Sequence, residues 1–236
     1  MEESVKYLIA DLVTEFTPIY DYLNNFAKPF IYKGNRKSDI VLNISEDRIK
    51  KFQKRMEEGT PLSHIESFLY SNAFNKAAIK YNTMLVHSSA LVYKGGAYLF
   101  SAESGVGKST HTRLWQQAFG DKVRIINDDK PVVQIRDSEC IVYGTPFDGG
   151  SGIANNESAP LKAIVFIERG EHNSVRVPNT SEIIKNLYFS TARMVDKETA
   201  DSMLLNFEKL IGLTKFYILT CNMDISAAYT ARDAIV

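Results

Sequence analysis

The sequence predicts an α/β fold. Two observations predict it: the chain contains three apolar runs, and a segment with helical spacing lies between two of them. Residues 97–100 and 124–127 have the apolar and aromatic composition of strands, and the segment between them repeats its apolar positions at helical spacing. Residues 161–167 form an almost continuous apolar run, which is typical of a strand buried on both faces of a sheet. We divide the chain into a small N-terminal α/β module, 1–80, and a main domain, 81–236.

Composition excludes several classes of protein. The chain has 236 residues, enough for one large domain or for a small domain joined to a larger one. Its hydrophobic share of 44% and its charged share of 24% are those of ordinary globular proteins. Basic and acidic residues number 28 each, so net charge favours neither nucleic acid nor a membrane surface as a partner. No apolar run approaches the roughly 20 residues that a transmembrane helix needs.

The first residues and the cysteines favour a cytoplasmic location. Residues 1–6 have neither the basic start nor the apolar core of a signal peptide, so we expect none. Cys140 and Cys221 are the only cysteines, and we do not expect a disulfide framework from them. A reducing compartment is therefore the expected one.

The N-terminal module is predicted to contain two strands and two helices. The predicted strands are 5–15 and 39–44. Ser45 is the predicted N-cap of the first helix, which glycine and proline end at 59–61, and the second helix runs over 62–80. We find no chemical motif here and assign no role to His64, which falls outside the apolar stripe of the second helix.

Five aromatic residues lie between the two predicted strands of this module. They could pack in a core or form a lid over a ligand, and core packing is the interpretation we favour. They are Tyr20, Tyr22, Phe26, Phe30 and Tyr32.

The main domain is predicted to carry strands and helices around the stretch 97–129. A glycine turn closes a hairpin of strands 90–93 and 97–100, and Gly120 ends the helix that follows. Asn179 and Glu182 form the pattern of a capping box. The other predicted strands are 131–136, 141–143, 161–167 and 216–220, and the other predicted helices are 180–192, 196–211 and one capped by Asp224. Residues 144–152 carry too many glycines for a regular element, and we expect a mobile loop.

The loop between strand 97–100 and its helix has the pattern of a phosphate-binding loop. Backbone N–H groups surround a phosphate only where side chains do not obstruct them, and a helix N-terminus favours the anion further. Lys108 would reach phosphate oxygens as a point charge, and the Ser109 hydroxyl would ligate Mg²⁺. Ala102 replaces the first glycine of the usual pattern, which we expect to be tolerated unless that position needs a positive φ. The predicted nucleotide-binding residues are Glu103, Ser104, Gly105, Val106, Gly107, Lys108, Ser109 and Thr110.

Two adjacent carboxylates, Asp128 and Asp129, end the strand that follows the helix. In a metal–phosphate site one carboxylate can hold Mg²⁺ while the other accepts a proton from an attacking hydroxyl. Adjacent side chains of a strand point to opposite faces, so a turn is needed here for both to serve. A surface turn is the alternative interpretation of the doublet, and the nearby loop favours the functional one. His87 would on its own be interpreted as a structural histidine.

The residues from about 85 to 131 resemble the HPr serine kinase/phosphorylase superfamily, whose nucleotide site is similar to that of ATP-dependent phosphoenolpyruvate carboxykinase. Three groups carry the resemblance: 86–89, which contains His87, then 104–109, and then 127–129. A weaker similarity, continuing through about 166, is to small HPr-kinase-like proteins associated with modified-peptide biosynthesis. The resemblance implies a P-loop-containing mixed-sheet core of the HPr kinase/phosphoenolpyruvate carboxykinase type, and self-association.

The resemblance also implies a role for each residue of the site. Asp129 would be the general base toward a serine hydroxyl, and His87 would tune its carboxylate. Lys108 would bind the transferred phosphate, and Ser109 and Asp128 would hold the metal. The implied cofactors are ATP and Mg²⁺, and the implied partner is a protein or peptide with an acceptor serine.

The chain departs from the family pattern after the loop. Thr110 replaces the glutamate that usually follows it, and the later Glu-x-Arg-Gly-Leu-Gly motif is absent. HPr as the substrate, a reverse phosphorylase activity and a second metal ligand are therefore not implied. Asp148 could replace the missing acid, although a solvated polar residue in the glycine loop is the interpretation we favour.

The function expected from the sequence is that of a Mg·ATP-dependent kinase acting on a hydroxyl, with a serine of a protein or peptide favoured. A phosphoenolpyruvate carboxykinase-like or small-molecule phosphotransferase is the first alternative, and it needs cations for a carboxylate substrate. Candidates for those cations are Arg113, Arg136 and Arg193. A nucleotide-binding regulator without turnover is the second alternative. ATP, GTP and pyrophosphate all stay open as donors, and the 144–152 loop is where we expect the substrate to be selected.

Overall fold

The computed structural model describes residues 4–191 and 196–236 and has a mixed α/β architecture. The strands in these ranges are β1 (Val5–Ile9), β2 (Leu12–Phe16), β3 (Ile40–Val41), β4 (Thr83–Leu85), β5 (Ser88–Tyr93), β6 (Gly96–Ser101), β7 (Val123–Asn127), β8 (Val132–Ile135), β9 (Cys140–Tyr143), β10 (Ser158–Arg169), β11 (Ser174–Arg176) and β12 (Lys215–Cys221). The helices are α1 (Asp21–Ala27), α2 (Glu46–Gln53), α3 (Leu62–Ala78), α4 (Lys108–Phe119), α5 (Thr180–Ser190), α6 (Lys197–Leu213) and α7 (Ser226–Ile235). In the described ranges, no helix combines the length and the apolar composition that crossing a bilayer requires.

The strands form two sheets, and β10 is the central strand of the larger one. A three-stranded sheet has the order β1-β2-β3, and a nine-stranded sheet follows the path β4-β8-β9-β10-β6-β5-β7, with β12 beside β10 and β11 beside β12. Residues 158–160 of β10 pair antiparallel with β9, whereas the remainder pairs in parallel with β6 and β12. The predicted double burial of 161–167 is confirmed for most of the run, since Ile164 and Val165 are both fully buried.

Helices cover both faces of the large sheet. Trp115 of α4 and Ala228 of α7 pack with the β10 residue Val165 on one face. Leu187 of α5 and Phe207 of α6 pack on the other face. This three-layer arrangement leaves the ends of β6, β7 and β10 free to build a site at one edge of the sheet.

The N-terminal module differs from its prediction in its strands and in the helix α1, which was not predicted. The predicted strand 5–15 is a hairpin of β1 and β2, because Ala10 and Asp11 adopt φ angles of 48° and 62° and reverse the chain. The predicted strand 39–44 is reduced to Ile40–Val41. The Ser45 N-cap is confirmed, since its hydroxyl accepts a hydrogen bond from the Arg48 N–H at 3.3 Å. The helix it caps ends at Gln53, before the glycine and proline, and short turns follow.

The module and the main domain share an apolar core. Phe30 is buried as core packing predicts, whereas Tyr22 reaches toward the main domain. Leu85, Val132 and Phe147 of the main domain belong to the same apolar cluster as the module's buried residues. The domain boundary at residue 80 therefore stays a prediction.

Most main-domain elements match their predictions. The hairpin of β5 and β6, the end of α4 before Gly120 and the capping box of Asn179 and Glu182 are confirmed. The strand β11 was not predicted. The helix α5 ends at Ser190, and residue 192 of its predicted range lies outside the described residues. Asp224 accepts a hydrogen bond from the Ser226 N–H at 2.9 Å, although the N-cap position itself belongs to Ile225.

Candidate functional site

The loop between β6 and α4 has the backbone conformation of an anion-binding turn. Gly105 and Gly107 adopt φ angles of 78° and 130°, which residues with a Cβ rarely adopt. Ala102 has no positive φ, so its methyl group introduces no backbone strain. The first turn of α4 follows at Lys108, and its unpaired N–H groups favour a bound anion.

Arg169, at the end of β10, holds this loop from one side. Its Nε donates to the Val106 carbonyl at 3.2 Å, and its Nη2 donates to the Gly105 carbonyl. The N–H and C=O groups of one peptide unit point in opposite directions. Binding of the Val106 carbonyl therefore turns the Gly107 N–H away from Arg169.

Lys108 is folded back over the loop that precedes it. Its Nζ donates to the Ala102 carbonyl at 3.1 Å, and the residue is 8% exposed. Burial lowers the pKa of Lys108, while the nearby Asp129 and Asp128 carboxylates oppose that shift. A phosphate oxygen could replace the neutral carbonyl as the partner of this ammonium.

Asn127 supplies the turn that the two aspartates require. Its Oδ1 accepts hydrogen bonds from the Asp129 N–H at 2.9 Å and the Lys130 N–H at 2.6 Å, and its Nδ2 donates to the Thr145 carbonyl at 3.1 Å. Such a side-chain turn ends β7 and redirects the chain. Both Asp128 and Asp129 consequently line the same cavity.

Asp129 is held by one cation and one histidine. The His87 Nε2 lies 3.2 Å from Oδ1, and the Lys130 Nζ lies 3.2 Å from Oδ2. Burial alone raises the pKa of Asp129, but the hydrogen bond from His87 and the Lys130 ammonium outweigh it and hold the pKa below its ordinary value. The carboxylate is therefore ionised at neutral pH.

The carboxylate of Asp128, in contrast to that of Asp129, has no partner among the described residues. The residue is 5% exposed, and neither of its carboxylate oxygens has a hydrogen-bond partner within 4–191 and 196–236. A buried carboxylate without a partner is costly, and such groups are usually paired or bound to a metal. Its chemistry fits a divalent cation beside the Ser109 hydroxyl.

The polar side chains of this cavity would fit a magnesium ion only if substrate phosphates completed its coordination. The described residues contain no cluster of three or more histidine, cysteine, aspartate or glutamate side chains that could hold a metal alone. Mg²⁺ is commonly held by one or two protein groups together with substrate phosphates and water. Asp128 and Ser109 fit that pattern.

One cavity of about 380 Å³ brings most of the predicted site together. It is lined by His87, Ser104, Gly105, Gly107, Lys108, Ser109, Thr110, Arg113, Asp128, Asp129, Gly149 and Ser151. The predicted residues Glu103 and Val106 do not line it and face neighbouring cavities instead.

The glycine-rich segment 144–152 forms one wall of this cavity, and the interpretation of Asp148 as a solvated residue was wrong. Asp148 is 3% exposed, and its carboxylate accepts hydrogen bonds from the Gly150, Ser151 and Gly152 N–H groups, the Ser151 hydroxyl and the Tyr22 hydroxyl. With both oxygens occupied, it does not serve as a replacement metal ligand. A Cβ on Gly149 would lie 2.5 Å from the Asp129 Cγ, so only glycine fits against the carboxylate.

The three arginine candidates for a carboxylate substrate are separated. Arg113 lines the cavity. Arg136 contacts Asp11 at 3.0 Å and the Tyr143 hydroxyl at 2.7 Å, beside the N-terminal hairpin. Arg193 lies outside the described residues.

Several contributing residues were missed at the level of sequence. Asn127 precedes the doublet and is a frequent turn residue, so its type was a usable signal. Lys130 and Arg169 carry no such signal, because their roles depend on where their long side chains end. Tyr22 was considered only as a core or lid residue, and its hydroxyl donates to Asp148 at 2.7 Å.

The chain has a distant likeness to solved structures. No protein-family model matches the chain, and no curated protein matches it. Among solved structures, the chain is similar to the Hpr(Ser) kinase/phosphatase from Coxiella burnetii, with 11% sequence identity and a TM-score of 0.37. The match covers 63% of this chain and 94% of that chain. At this TM-score the likeness supports no argument about the site, whose interpretation depends on its own geometry.

Proposed function

We propose that this chain is a Mg·ATP-dependent kinase that transfers the γ-phosphoryl group to a hydroxyl, with Asp129 as the general base. One observation carries the proposal: a single cavity combines the helix N-terminus at Lys108 and Ser109, the unpartnered Asp128 and the partnered Asp129. These are the three kinds of group that phosphoryl transfer needs, namely phosphate binding, metal binding and proton acceptance.

The loop and the first turn of α4 would bind the phosphates. The N–H groups of the first turn of α4 would donate to the anion, and the Lys108 ammonium would exchange the Ala102 carbonyl for a phosphate oxygen. Ser109 and Asp128 would hold Mg²⁺, which when bound neutralises phosphate charge. Asp128 would then gain the partner that it lacks among the described residues.

Asp129 would remove the proton of the acceptor hydroxyl. The proton passes to the carboxylate while the acceptor oxygen bonds to the γ-phosphorus and the bond to the β–γ bridging oxygen breaks, which leaves ADP. His87 and Lys130 keep the carboxylate ionised before the reaction and orient it. Most of the rate enhancement would come from positioning and charge neutralisation.

The acceptor in this proposal is a serine of a protein or peptide, as the resemblance of the motifs to HPr-kinase-like proteins implies. Self-association stays a prediction from the same resemblance. A cytoplasmic location stays a prediction from the first residues and the cysteine content. The carboxykinase-like alternative is weakened because Arg136 is engaged far from the cavity. Incubation with phosphoenolpyruvate, bicarbonate and ADP separates the two activities directly.

The experiment that tests the proposal is incubation with γ-labelled ATP, Mg²⁺ and a library of serine-containing peptides, followed by identification of the labelled residue. Asp129→Asn should lower transfer by about 10²–10⁴-fold while it retains nucleotide binding. Asp137→Asn, an exposed carboxylate outside the cavity, is the matched control and should transfer normally. Normal turnover by Asp129→Asn would refute the assignment of the base.

A further inference from the structure

We propose that the acceptor binds as an extended polypeptide segment in the cleft beside α5, with an apolar side chain against Phe189. This inference rests on the proposed function and assigns the acceptor surface of the same site. The cleft, here called the α5 cleft, has a volume of about 670 Å³ and lies between the loop, the end of β10 and α5. Its lining includes Glu103, Glu168, Lys185 and Phe189.

The α5 cleft opens directly onto the reacting groups. The cavity of about 380 Å³ that contains Lys108 and Asp129 is here called the phosphate cavity. His87 and Ser104 line both this cavity and the α5 cleft. His87 is the hydrogen-bond partner of Asp129, so a hydroxyl that enters from the cleft passes the histidine that holds the base. The cleft therefore leads to the position that an attacking nucleophile must occupy.

A different cavity suits the nucleoside. A cavity of about 310 Å³ shares Gly107 and Thr110 with the phosphate cavity and is lined by apolar side chains that include Leu114, Ile167 and Met223. Apolar walls suit a base, and neither His87 nor Asp129 lines this cavity. With the donor's base on the α4 side of the loop, the α5 side is left for the acceptor.

The end of α5 is tied to the histidine. The His87 N–H donates to the Ser190 carbonyl at 2.6 Å, and Phe189 immediately precedes Ser190. Phe189 is nevertheless 56% exposed. Its neighbours Ile184 and Tyr188, and Leu204 on α6, are also exposed. A second cavity of about 560 Å³ continues over these residues and shares Lys185 and Phe189 with the α5 cleft. An apolar surface therefore runs outward from the base.

The chemistry of this surface fits a polypeptide better than a small anion. In the described lining, the negative charges of Glu103 and Glu168 balance the positive charges of Lys185 and Arg169. The Arg169 guanidinium is already bonded to the loop carbonyls. A small anionic acceptor would need converging cations, and these charges do not provide them. An exposed apolar patch that continues from a site commonly marks a protein-binding surface. Because Phe189 is adjacent to Ser190, whose carbonyl binds the His87 N–H, and His87 holds Asp129, we expect the apolar anchor within a few residues of the acceptor serine.

The test is a positional-scanning library of serine-centred peptides with γ-labelled ATP. We expect selection of apolar or aromatic residues at a flanking position. For the best peptide, Phe189→Ala should raise KM about tenfold, whereas Phe189→Leu should stay near the wild-type value. The KM for ATP and the hydrolysis of ATP without peptide should not change. Val41→Ala, which removes an exposed apolar side chain on β3, is the control.

Three results would overturn this inference while the proposed function stands. The first is an unchanged peptide KM in Phe189→Ala, and the second is a raised KM for ATP, which would place the nucleoside in the α5 cleft. The third is dissociation of an oligomer on the same substitution, measured by light scattering, which would assign the patch to a second copy of the chain. A wild-type protein that neither hydrolyses ATP nor labels any peptide would overturn the proposed function, and this inference with it.

Discussion

Replacement of Asp128 by asparagine should stabilise the protein in the absence of metal, and this result would be the most direct support for a metal ligand at that position. Both carboxylate oxygens are buried and have no hydrogen-bond partner in the described residues. The folded state therefore bears the desolvation of a charge, which the nearby Lys108 offsets in part. Asparagine keeps the shape of the side chain and removes the charge.

The size of the effect follows from the burial. An unsatisfied buried polar group costs about 1–3 kcal/mol, and more when it is charged. The asparagine amide stays unsatisfied, so we expect a net gain of about 1–2 kcal/mol in the free energy of unfolding. For a chain of this length, each 1 kcal/mol raises Tm by roughly 2–4 °C.

Asp129 provides the matched control one residue away. Its carboxylate has two charged or polar partners, so Asp129→Asn removes favourable contacts and should destabilise the fold by about 1–3 kcal/mol. The assay is urea unfolding of the wild type and both variants in a chelator without nucleotide. Melts with Mg²⁺ and a non-hydrolysable ATP analogue follow, where ligand binding should stabilise the wild type more than Asp128→Asn. If Asp128→Asn is not more stable than the wild type in chelator, the carboxylate is not uncompensated and the metal assignment loses its physical basis.

The remaining predictions concern the base, the glycine against it and the loop lysine. Lys130→Met should raise the pKa of Asp129, so the acid limb of the pH–rate profile should move to higher pH; an unmoved limb would contradict the ion pair. The pair also stabilises the fold above the unfolded-state pKa, and that contribution is lost as the pH falls through the lower folded-state pKa. Gly149→Ala forces a methyl group against Asp129 and should reduce transfer at least about tenfold with ATP affinity retained, whereas Gly212→Ala, which meets no atom within 4 Å, should be neutral by both measurements. Lys108→Ala should weaken both nucleotide affinity, measured by calorimetry, and transfer, and retained affinity would contradict its role.

The parts of the fold that could be predicted are those in which local sequence and tertiary structure agree. The loop, α4 and its flanking strands combine apolar periodicity with glycine in the positions that need a positive φ. The capping box at Asn179 is also a local pattern, complete within four residues. Such elements do not depend on distant partners.

The features that were missed have weak signals in their own residues. The turn between β1 and β2 places Ala10 at a positive φ, which no local preference predicts, and the antiparallel register from Ile9 to Leu12 imposes it. The strand β11 has three residues and exists only because it pairs with β12. Asp11 is a frequent residue in such turns, but next to alanine it is too weak a signal to predict the hairpin.

The site shows the same division. That Lys108, Ser109 and the aspartate doublet lie around one cavity could be predicted, because phosphate and metal chemistry restricts residue types. The difference in hydrogen bonding between the two aspartates could not be predicted. Lys130 and His87 approach Asp129, whereas Asp128 has no hydrogen-bond partner for its carboxylate among the described residues. Asp148 is held mainly by its own loop, but the Tyr22 hydroxyl that completes its hydrogen bonds is 126 positions away in the chain.

The position of β10 has a consequence for how the protein is made. The strand β6, which leads into the phosphate-binding loop, pairs with β10 only after α4, β7, β8 and β9 have been synthesised, and β10 in turn pairs with β12 near the C-terminus. Pairings between distant segments form slowly, because the intervening chain must first lose entropy. On the ribosome, one side of β6 would thus stay an open edge until late in synthesis, and such edges promote aggregation. The candidate site should therefore be among the last parts of the molecule to assemble.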